Sequence, residues 1–261
     1  MSDPDNQPYK GGHPRKSGVE AVQAAQRITL PKRFYTDATS APRDGGFAVL
    51  LDGRPVRTPA KKLLMVPSDA LATALAEEWA AQKASIDPAT MPLTRIVNSA
   101  LDGVTGREAE VRAEIVKYAG GDLLLYRAGG PAALVARQTR HWDSIVAWAE
   151  GWIGGRFVMA EGIMPVSQPQ ATLDKLAAKL ASADALPLAG LHVITTITGS
   201  ALLALAHTAS HISAEGAWAA AHVDEDYQVE MWGTDSEAEA RRAHRWREMQ
   251  AASRLLATFT P

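Results

Sequence analysis

The feature that most constrains the fold is a change in the period of the apolar residues near Ser68. Before it, short apolar runs alternate with turn residues, and Asp52-Gly53 is a strong two-residue hairpin signal because glycine takes positive φ at low steric cost. After it, Leu71, Leu75 and Trp79 follow at helical spacing, with Ser68 as the N-cap. Strands followed by helices, without alternation, predict an α+β fold.

This period change also predicts the domain organisation. Residues 1–32 form a polar lead-in that we expect to be disordered. Residues 33–67 form a small antiparallel β-rich unit, with a short extended piece at Phe34–Asp37 and a loop at Ala41–Gly46. Residues 68–261 form a larger, all-helical domain.

The most apolar run, Leu186–Ala206, is about long enough to span a bilayer. It carries Pro187, His192 and three threonines, and no charged residues anchor its ends. We therefore expect a buried core helix and no stable membrane insertion. Two further helices are predicted at Ala214–Met231 and Ser236–Phe259.

The composition limits which cellular compartment and which class of partner fit this protein. A net charge of -2 gives no overall attraction to nucleic acid. The absence of cysteine excludes disulfides and thiolate sites and fits a reducing compartment. The first 27 residues contain acids and no apolar core, unlike a secretory signal or a transit peptide. These observations favour a cytoplasmic protein.

The sequence offers little catalytic chemistry. Its glycine-rich pieces lack the spacing of phosphate-binding loops, and there is no nucleophile elbow, so we expect no cofactor and no catalytic residue. His207, His211 and Glu215 are spaced by four residues and would share one face of a continuous helix. A small metal-dependent enzyme built on these three residues is therefore an alternative, although surface or capping histidines near a helix end explain the spacing better.

The segment Asp224–Arg242 combines carboxylates with an aromatic residue at a bend between two helices. Gly233 is a natural helix terminator, Ser236–Glu239 has the spacing of a capping box, and Glu237 with Arg241 forms a favourable pair four residues apart. Aromatic anchors in a charged rim are typical of protein-recognition surfaces. The alternative is that Trp232 fills the corner between packed helices.

Long motifs resemble a known family. LDGRPVRTPAKKLLMVPS, LAEEWAAQKASIDPATMPLTRIVNSALD, GDLLLYRA and HWDSIVAW follow in order, and DEDYQVEMWGTDSEAEARR completes the match. They resemble the ATP synthase assembly factors that chaperone the alpha subunit of the catalytic head. One departure is Ser144, where related sequences tend to have proline. The acidic N-terminus indicates the bacterial form of this mitochondrial family.

The resemblance implies a non-enzymatic chaperone that binds the unassembled alpha subunit and prevents its aggregation until it pairs with beta. An interaction module with a different client is the remaining alternative. The partner-binding residues that the resemblance implies lie in the C-terminal acidic segment, whereas Trp79, Asp52 and Gly53 are expected to be structural. The partner-binding set is Asp224, Glu225, Gln228, Glu230, Trp232, Gly233, Glu237, Glu239 and Arg241.

Overall fold

Two tight turns shape the N-terminal part of the chain. In the computed structural model, which describes residues 30–162 and 164–259, strand β1 (Ala38–Arg43) pairs antiparallel with β2 (Gly46–Leu51). The chain then turns through Asp52 and Gly53, which both have positive φ, into β3 (Arg54–Pro55). A fourth strand, β4 (Met65–Val66), pairs with the other end of β2. Strand β2 is therefore the centre of a small antiparallel sheet.

The first strand lies further along the chain than predicted. The extended piece expected at Phe34–Asp37 precedes β1, and the predicted loop at Ala41–Gly46 is wrong because its first half belongs to β1. The turn consists of Asp44 and Gly45 alone. Pro42 is tolerated because β1 lies at the edge of the sheet, where a missing N–H breaks no ladder bond.

Most of the predicted lead-in, residues 1–29, lies outside the described residues. The three described residues at its end are held against the loop after the first helix. The Pro31 carbonyl accepts a hydrogen bond from the Ile86 amide at 2.8 Å, and Lys32 pairs with Ser85 as an isolated antiparallel bridge.

Helices make up most of the chain after Ser68. Ser68 caps the first of them by accepting a hydrogen bond from the Leu71 amide, as the sequence predicts. A two-residue parallel pairing joins β5 (Tyr126–Arg127) to β6 (Ala160–Glu161). The helices are α1 (Asp69–Ala80), α2 (Pro92–Ser99), α3 (Glu108–Gly120), α4 (Ala132–Ile153), α5 (Gln170–Leu180), α6 (Ala185–Thr198), α7 (Ala201–Thr208), α8 (Ala214–Ala221), α9 (Val223–Trp232) and α10 (Ser236–Ala257).

The long apolar run is buried, but the prediction of one helix is wrong. The run forms two helices, α6 and α7, and the helix is interrupted at Gly199, which adopts a left-handed conformation with φ +69°. Ser200 then caps α7 by accepting from the Leu203 amide. The fully buried Asp122 accepts from the Leu202 amide at 3.0 Å and from the Leu124 amide at 3.1 Å. A carboxylate 80 residues away thus stabilises the new helix start.

The helix predicted at Ala214–Met231 is also two helices. The break falls at His222, which has φ -111° and ψ 15° and ends α8 one residue before α9 begins. Its ring is buried against Trp218, and its Nδ1 lies 2.7 Å from the Trp218 carbonyl oxygen. In a continuous helix the Trp218 carbonyl would accept a hydrogen bond from the backbone amide of His222. Here the His222 side chain contacts that carbonyl instead.

One hydrophobic cluster extends through the sheet and the helices. It runs from Val49 on β2 through the fully buried Trp142 on α4 to Leu255 on α10. Trp142 also donates its indole N–H to the Ala220 carbonyl, 2.7 Å away. The predicted α+β class is confirmed. Among the described residues, none of the helices has the length and apolar character that crossing a membrane requires.

The longest sequence motifs bond to one another. Glu78, which precedes the motif residue Trp79, accepts hydrogen bonds from the Leu93 and Thr94 amides at 2.8 Å and 2.7 Å and so caps α2. Asp102 accepts from the Thr58 hydroxyl and the Ala60 amide, which ties the loop after β3 to the end of the same motif. These motifs therefore stabilise the junction between the sheet and the helices.

We expect Glu78→Ala to lower the free energy of unfolding by about 1–3 kcal/mol, because two amides in the first turn of α2 lose their acceptor. Chemical denaturation measures the change. The matched control is Glu77→Ala, one residue away, whose exposed ion pair with Arg254 contributes less than about 1 kcal/mol. Equal losses in the two variants would contradict the capping role.

Candidate functional site

The candidate site lies where α9 meets α10. Helix α9 ends at Trp232, because Gly233 follows with φ +87°, a conformation that other residues rarely adopt. Helix α10 begins with Asp235 as its N-cap, and the Asp235 carboxylate accepts from the Glu237 amide at 3.2 Å. The prediction that Ser236 starts the helix as a capping-box residue is therefore shifted by one position.

Trp232 does not fill the corner between the helices. Its side chain is 78% exposed, and its neighbours Met231 and Val229 are 59% and 37% exposed. The interpretation of Trp232 as packing between helices is therefore wrong. A large aromatic side chain left in solvent beside two other apolar residues marks a surface that can bury them against a partner.

A groove of about 500 Å³ separates this end of α9 from the start of α10. Trp232, Val229 and Ala238 contribute its apolar side chains. Its polar side chains mix both signs of charge. They belong to Glu225, Gln228, Thr234, Asp235, Glu239, Arg241, Arg242 and Arg245, and Gly233 completes the lining.

Four of the carboxylates in the segment accept hydrogen bonds from other side chains. Glu230 accepts from Arg137 on α4 through both oxygens, at 2.7 Å and 2.5 Å, and this bond holds the pKa of the Glu230 carboxyl below its ordinary value. Asp226 pairs with Arg242, and Asp224 accepts from Gln138 at 2.8 Å. The predicted pair of Glu237 with Arg241 is present at 2.6 Å.

These bonds fix α9 against its neighbours. Arg137 and Gln138 attach it to α4, and the Arg137 guanidinium also lies 5.3 Å from the centre of the Tyr227 ring. Arg242 attaches it to α10. Neither Arg137 nor Gln138 could be assigned to the site from the sequence, because each lies more than 80 residues from its partner.

Three polar residues of the segment remain available. Within the part of the chain that the structure describes, the side chains of Gln228 and Glu239 form no hydrogen bond or ion pair, and both line the groove. Glu225 lies 3.7 Å from the Nε2 atom of the buried His222, whose pKa is lowered by that burial. The structure thus divides the predicted residues into those that hold α9 in place and those that are free to contact another molecule.

The metal alternative lacks the geometry it requires. Helix α7 ends at Thr208, so His207, His211 and Glu215 do not share a continuous helix. His207 lies between the Ser253 hydroxyl at 2.8 Å and a backbone carbonyl, and the His211 ring stacks on Trp148 at 5.0 Å. Across residues 30–162 and 164–259, no three metal-ligating side chains are grouped around a common point.

Known proteins are similar to this chain in both sequence and fold. The model of the ATP12 chaperone protein family matches residues 32–150. A crystal structure of Atp12 from Paracoccus denitrificans superposes with a TM-score of 0.81 at 42% identity, over 87% of this chain and 97% of that one. The chain belongs to the ATP12 chaperone family.

Two other relatives extend the comparison. A protein from Agrobacterium tumefaciens of known crystal structure matches with a TM-score of 0.85 at 46% identity, over 95% of this chain and 92% of that one. The protein atp12, mitochondrial, of Schizosaccharomyces pombe is 22% identical over 84% of this chain and 80% of its own length. The predicted resemblance to ATP synthase assembly factors is thereby confirmed.

The ATP12 family model ends within α4, so it covers the sheet and the bonded motifs but not the α9–α10 groove. Within the matched region, Trp79 is half-buried, and its position at the edge of the core is less enclosed than its helical spacing predicts. Its backbone carbonyl accepts from the Tyr35 hydroxyl at 2.7 Å. Its indole Nε1 is buried and has no hydrogen-bond partner within the described residues.

Proposed function

We propose that this chain captures the unassembled alpha subunit of the ATP synthase catalytic head and holds it until beta takes its place. Membership of the ATP12 family supports a role in ATP synthase assembly. An unpartnered subunit exposes an interface that resembles a domain core cut in half, and covering it prevents aggregation. Beta displaces the chaperone if its own interface with alpha is larger or better matched. The role needs no catalytic residue and no cofactor, and we expect it in the bacterial cytoplasm.

The observation that carries this proposal is the exposed Trp232 beside a groove with free polar groups. Trp232, Met231 and Val229 supply exposed apolar area beside the groove, which a client can bury at the centre of the interface. Between Asp224 and Arg242 the sequence has seven carboxylates and two arginines, so the segment favours a basic client surface. The bonds from Arg137 and Arg242 hold α9 in place before the client arrives, which reduces the entropy lost on binding.

Co-expression tests the proposal directly. The tagged chain is produced together with the alpha and beta subunits, each alone and both at once, and the soluble and copurified fractions of each subunit are measured. We expect alpha to be retained when it is expressed without beta and to be released when beta is added. If alpha aggregates to the same extent with and without this chain, the proposal fails. Retention of neither subunit would favour an interaction module with a different client.

Charge reversal at one free carboxylate separates binding from folding. We expect Glu239→Lys to weaken capture of alpha roughly threefold to tenfold, because it repels a basic client surface without breaking any contact in the described chain. The melting temperature should change little, since the side chain is exposed. Capture is quantified by binding of purified protein to alpha as alpha is released from denaturant.

The matched control for this reversal is Asp44→Lys in the β1–β2 turn, which changes the net charge equally at a distant exposed position. Capture should be unaffected by the control. If both variants weaken capture to the same degree, the effect comes from net charge and not from the α9–α10 groove. If Glu239→Lys lowers stability and capture together, Glu239 serves only the start of α10.

A further inference from the structure

A second pocket lies on the β-rich unit, between the β2–β3 hairpin and α1. It has a volume of about 580 Å³ and is formed by the apolar side chains of Phe34, Val56 and Trp79 with Arg54 and Arg57 beside them. We call it the hairpin pocket. Phe34 is 74% exposed, although its ring contacts Tyr35 edge-on at 5.4 Å. The pocket therefore combines an uncovered aromatic ring with a wall of both apolar and polar groups.

The β-rich unit that forms the hairpin pocket carries a net positive charge. Residues 30–67 contain seven lysines and arginines and three aspartates, and Arg54 and Arg57 line the pocket itself. Among the described residues that line the pocket, the one carboxylate belongs to Asp52, and it already accepts from the Thr36 and Asp37 amides, at 3.1 Å and 2.9 Å. The Arg54 side chain is exposed and forms no hydrogen bond or ion pair within the described residues, whereas the Arg57 side chain donates to the Lys61 carbonyl. A free guanidinium beside the exposed Phe34 ring favours a carboxylate next to an apolar side chain.

Trp79, which lines the pocket, also carries an unsatisfied donor. Its indole Nε1 is buried and has no acceptor within the described residues, although buried N–H groups are nearly always paired. A backbone carbonyl or a carboxylate of a bound peptide would supply that acceptor after a small rotation of the ring. This requirement is met by an extended segment, whose backbone carbonyls are exposed.

We propose that the hairpin pocket binds an extended acidic segment of a client protein, in which one apolar side chain is flanked by carboxylates. Its chemistry is opposite to that of the segment Asp224–Arg242, whose excess of carboxylates favours a basic surface. The two sites lie toward opposite ends of α10. Glu239 lies at one end of this helix, and Arg254 near the other end bonds to Glu77 on α1, two residues from Trp79. Fifteen residues of helix separate these ends by roughly 22 Å. A single client can therefore contact both sites, and the overall affinity for that client then exceeds the affinity of either site alone.

A short peptide tests the pocket without any assumption about the client. The probe is acetyl-Gly-Asp-Leu-Asp-Gly-amide, and its partner is the same peptide with lysine in place of both aspartates. The readout is the ¹H–¹⁵N signal of the Trp79 indole in the full chain, assigned by its loss in Trp79→Phe. We expect the acidic peptide to shift this signal in a saturable way at millimolar concentration and the lysine peptide to leave it unchanged. Equal responses to both peptides, or no response to either, would overturn the proposal.

Two charge-reversal variants test whether the acidic peptide binds at the hairpin pocket. Arg54→Glu should weaken binding of the acidic peptide at least fivefold. Arg43→Glu, at the far end of β1, should leave it unchanged, and neither variant should alter the melting temperature, because both arginines are exposed and unpaired within the described chain. Equal weakening in both variants would overturn the proposal. A shift of the Trp79 signal with protein concentration alone would assign the pocket to a second copy of this chain and overturn it too.

A second arm uses the client and rests on the proposed function. In the co-expression experiment, Arg54→Glu should reduce capture of alpha severalfold relative to Arg43→Glu. If the wild-type chain does not capture alpha at all, the proposed function fails while the peptide measurement still decides on the hairpin pocket. If alpha is captured and the two variants retain it equally, the pocket has no part in client binding and the inference is overturned.

Discussion

Trp232→Ala is expected to reduce capture of the alpha subunit about 30-fold or more while leaving the fold intact. Exposed aromatic residues at the centre of an interface contribute about 2–4 kcal/mol when a partner buries them, and 2 kcal/mol corresponds to a factor of about 30. The same change should alter the free energy of unfolding by less than about 0.5 kcal/mol, since the side chain is 78% exposed in the free protein. The measurement pairs binding of denaturant-released alpha with chemical denaturation of the chaperone alone.

The matched control is Met164→Ala, which removes a side chain that is 74% exposed on a different part of the surface. Capture should be unchanged in this control and largely retained in Trp232→Phe, which keeps an aromatic ring at the same place. A loss of capture in Met164→Ala as large as in Trp232→Ala would mean that any exposed apolar residue contributes. A loss of stability in Trp232→Ala would mean that the residue supports the end of α9 instead.

The fold class could be predicted from the sequence because each kind of element leaves a local pattern. The Asp52-Gly53 turn, the N-cap at Ser68 and the start of α10 all depend on residues within four positions of one another. Such signals need no knowledge of the rest of the chain. For the same reason the sequence shows that the segment Asp224–Arg242 has a negative net charge, although it does not show which of its carboxylates form ion pairs.

The breaks in the two long helices could not be predicted, because distant residues stabilise them. The sequence around Gly199 is compatible with a continuous apolar helix. The interruption is stable because the buried Asp122 carboxylate accepts a hydrogen bond from the Leu202 amide, which has no acceptor within the new helix. His222 breaks the next helix because its ring is buried against Trp218 and beside α10, where Arg242 and Arg245 lower its pKa further. Both outcomes depend on tertiary contacts that no local pattern contains.

The exposure of Trp232 was unpredictable for a related reason. A tryptophan beside Gly233 at a helix end is compatible with packing in the corner or with projection into solvent. The choice depends on how α9 docks, and that docking is determined by Arg137 and Gln138 on α4. The sequence therefore identified the segment, while the structure separates its anchoring carboxylates from the groups that face solvent.

The other large effect is expected at Asp122, which is fully buried and accepts hydrogen bonds from amides at two separate places in the chain. Asp122→Ala leaves these buried amides unpaired, and we expect it to lower the free energy of unfolding by about 3 kcal/mol or more at pH 7. Asp122→Asn keeps the shape of the side chain and one acceptor oxygen, so its loss should be smaller. Chemical denaturation of the three proteins measures both losses.

The pH dependence distinguishes the charge of Asp122 from its shape. Burial raises the pKa of the Asp122 carboxyl from 3.8 to about 6, against the opposing effect of its hydrogen bonds. Between these two values the folded protein binds a proton that the unfolded chain does not. The contribution of Asp122 to stability therefore increases as the pH falls from 7 to 4, by roughly 2–3 kcal/mol. The stability difference between wild type and Asp122→Asn should widen in favour of wild type over this range. A difference that stays constant, or that narrows toward pH 4, would mean that donors from both segments keep the carboxylate ionised and that hydrogen bonding outweighs burial at this helix start.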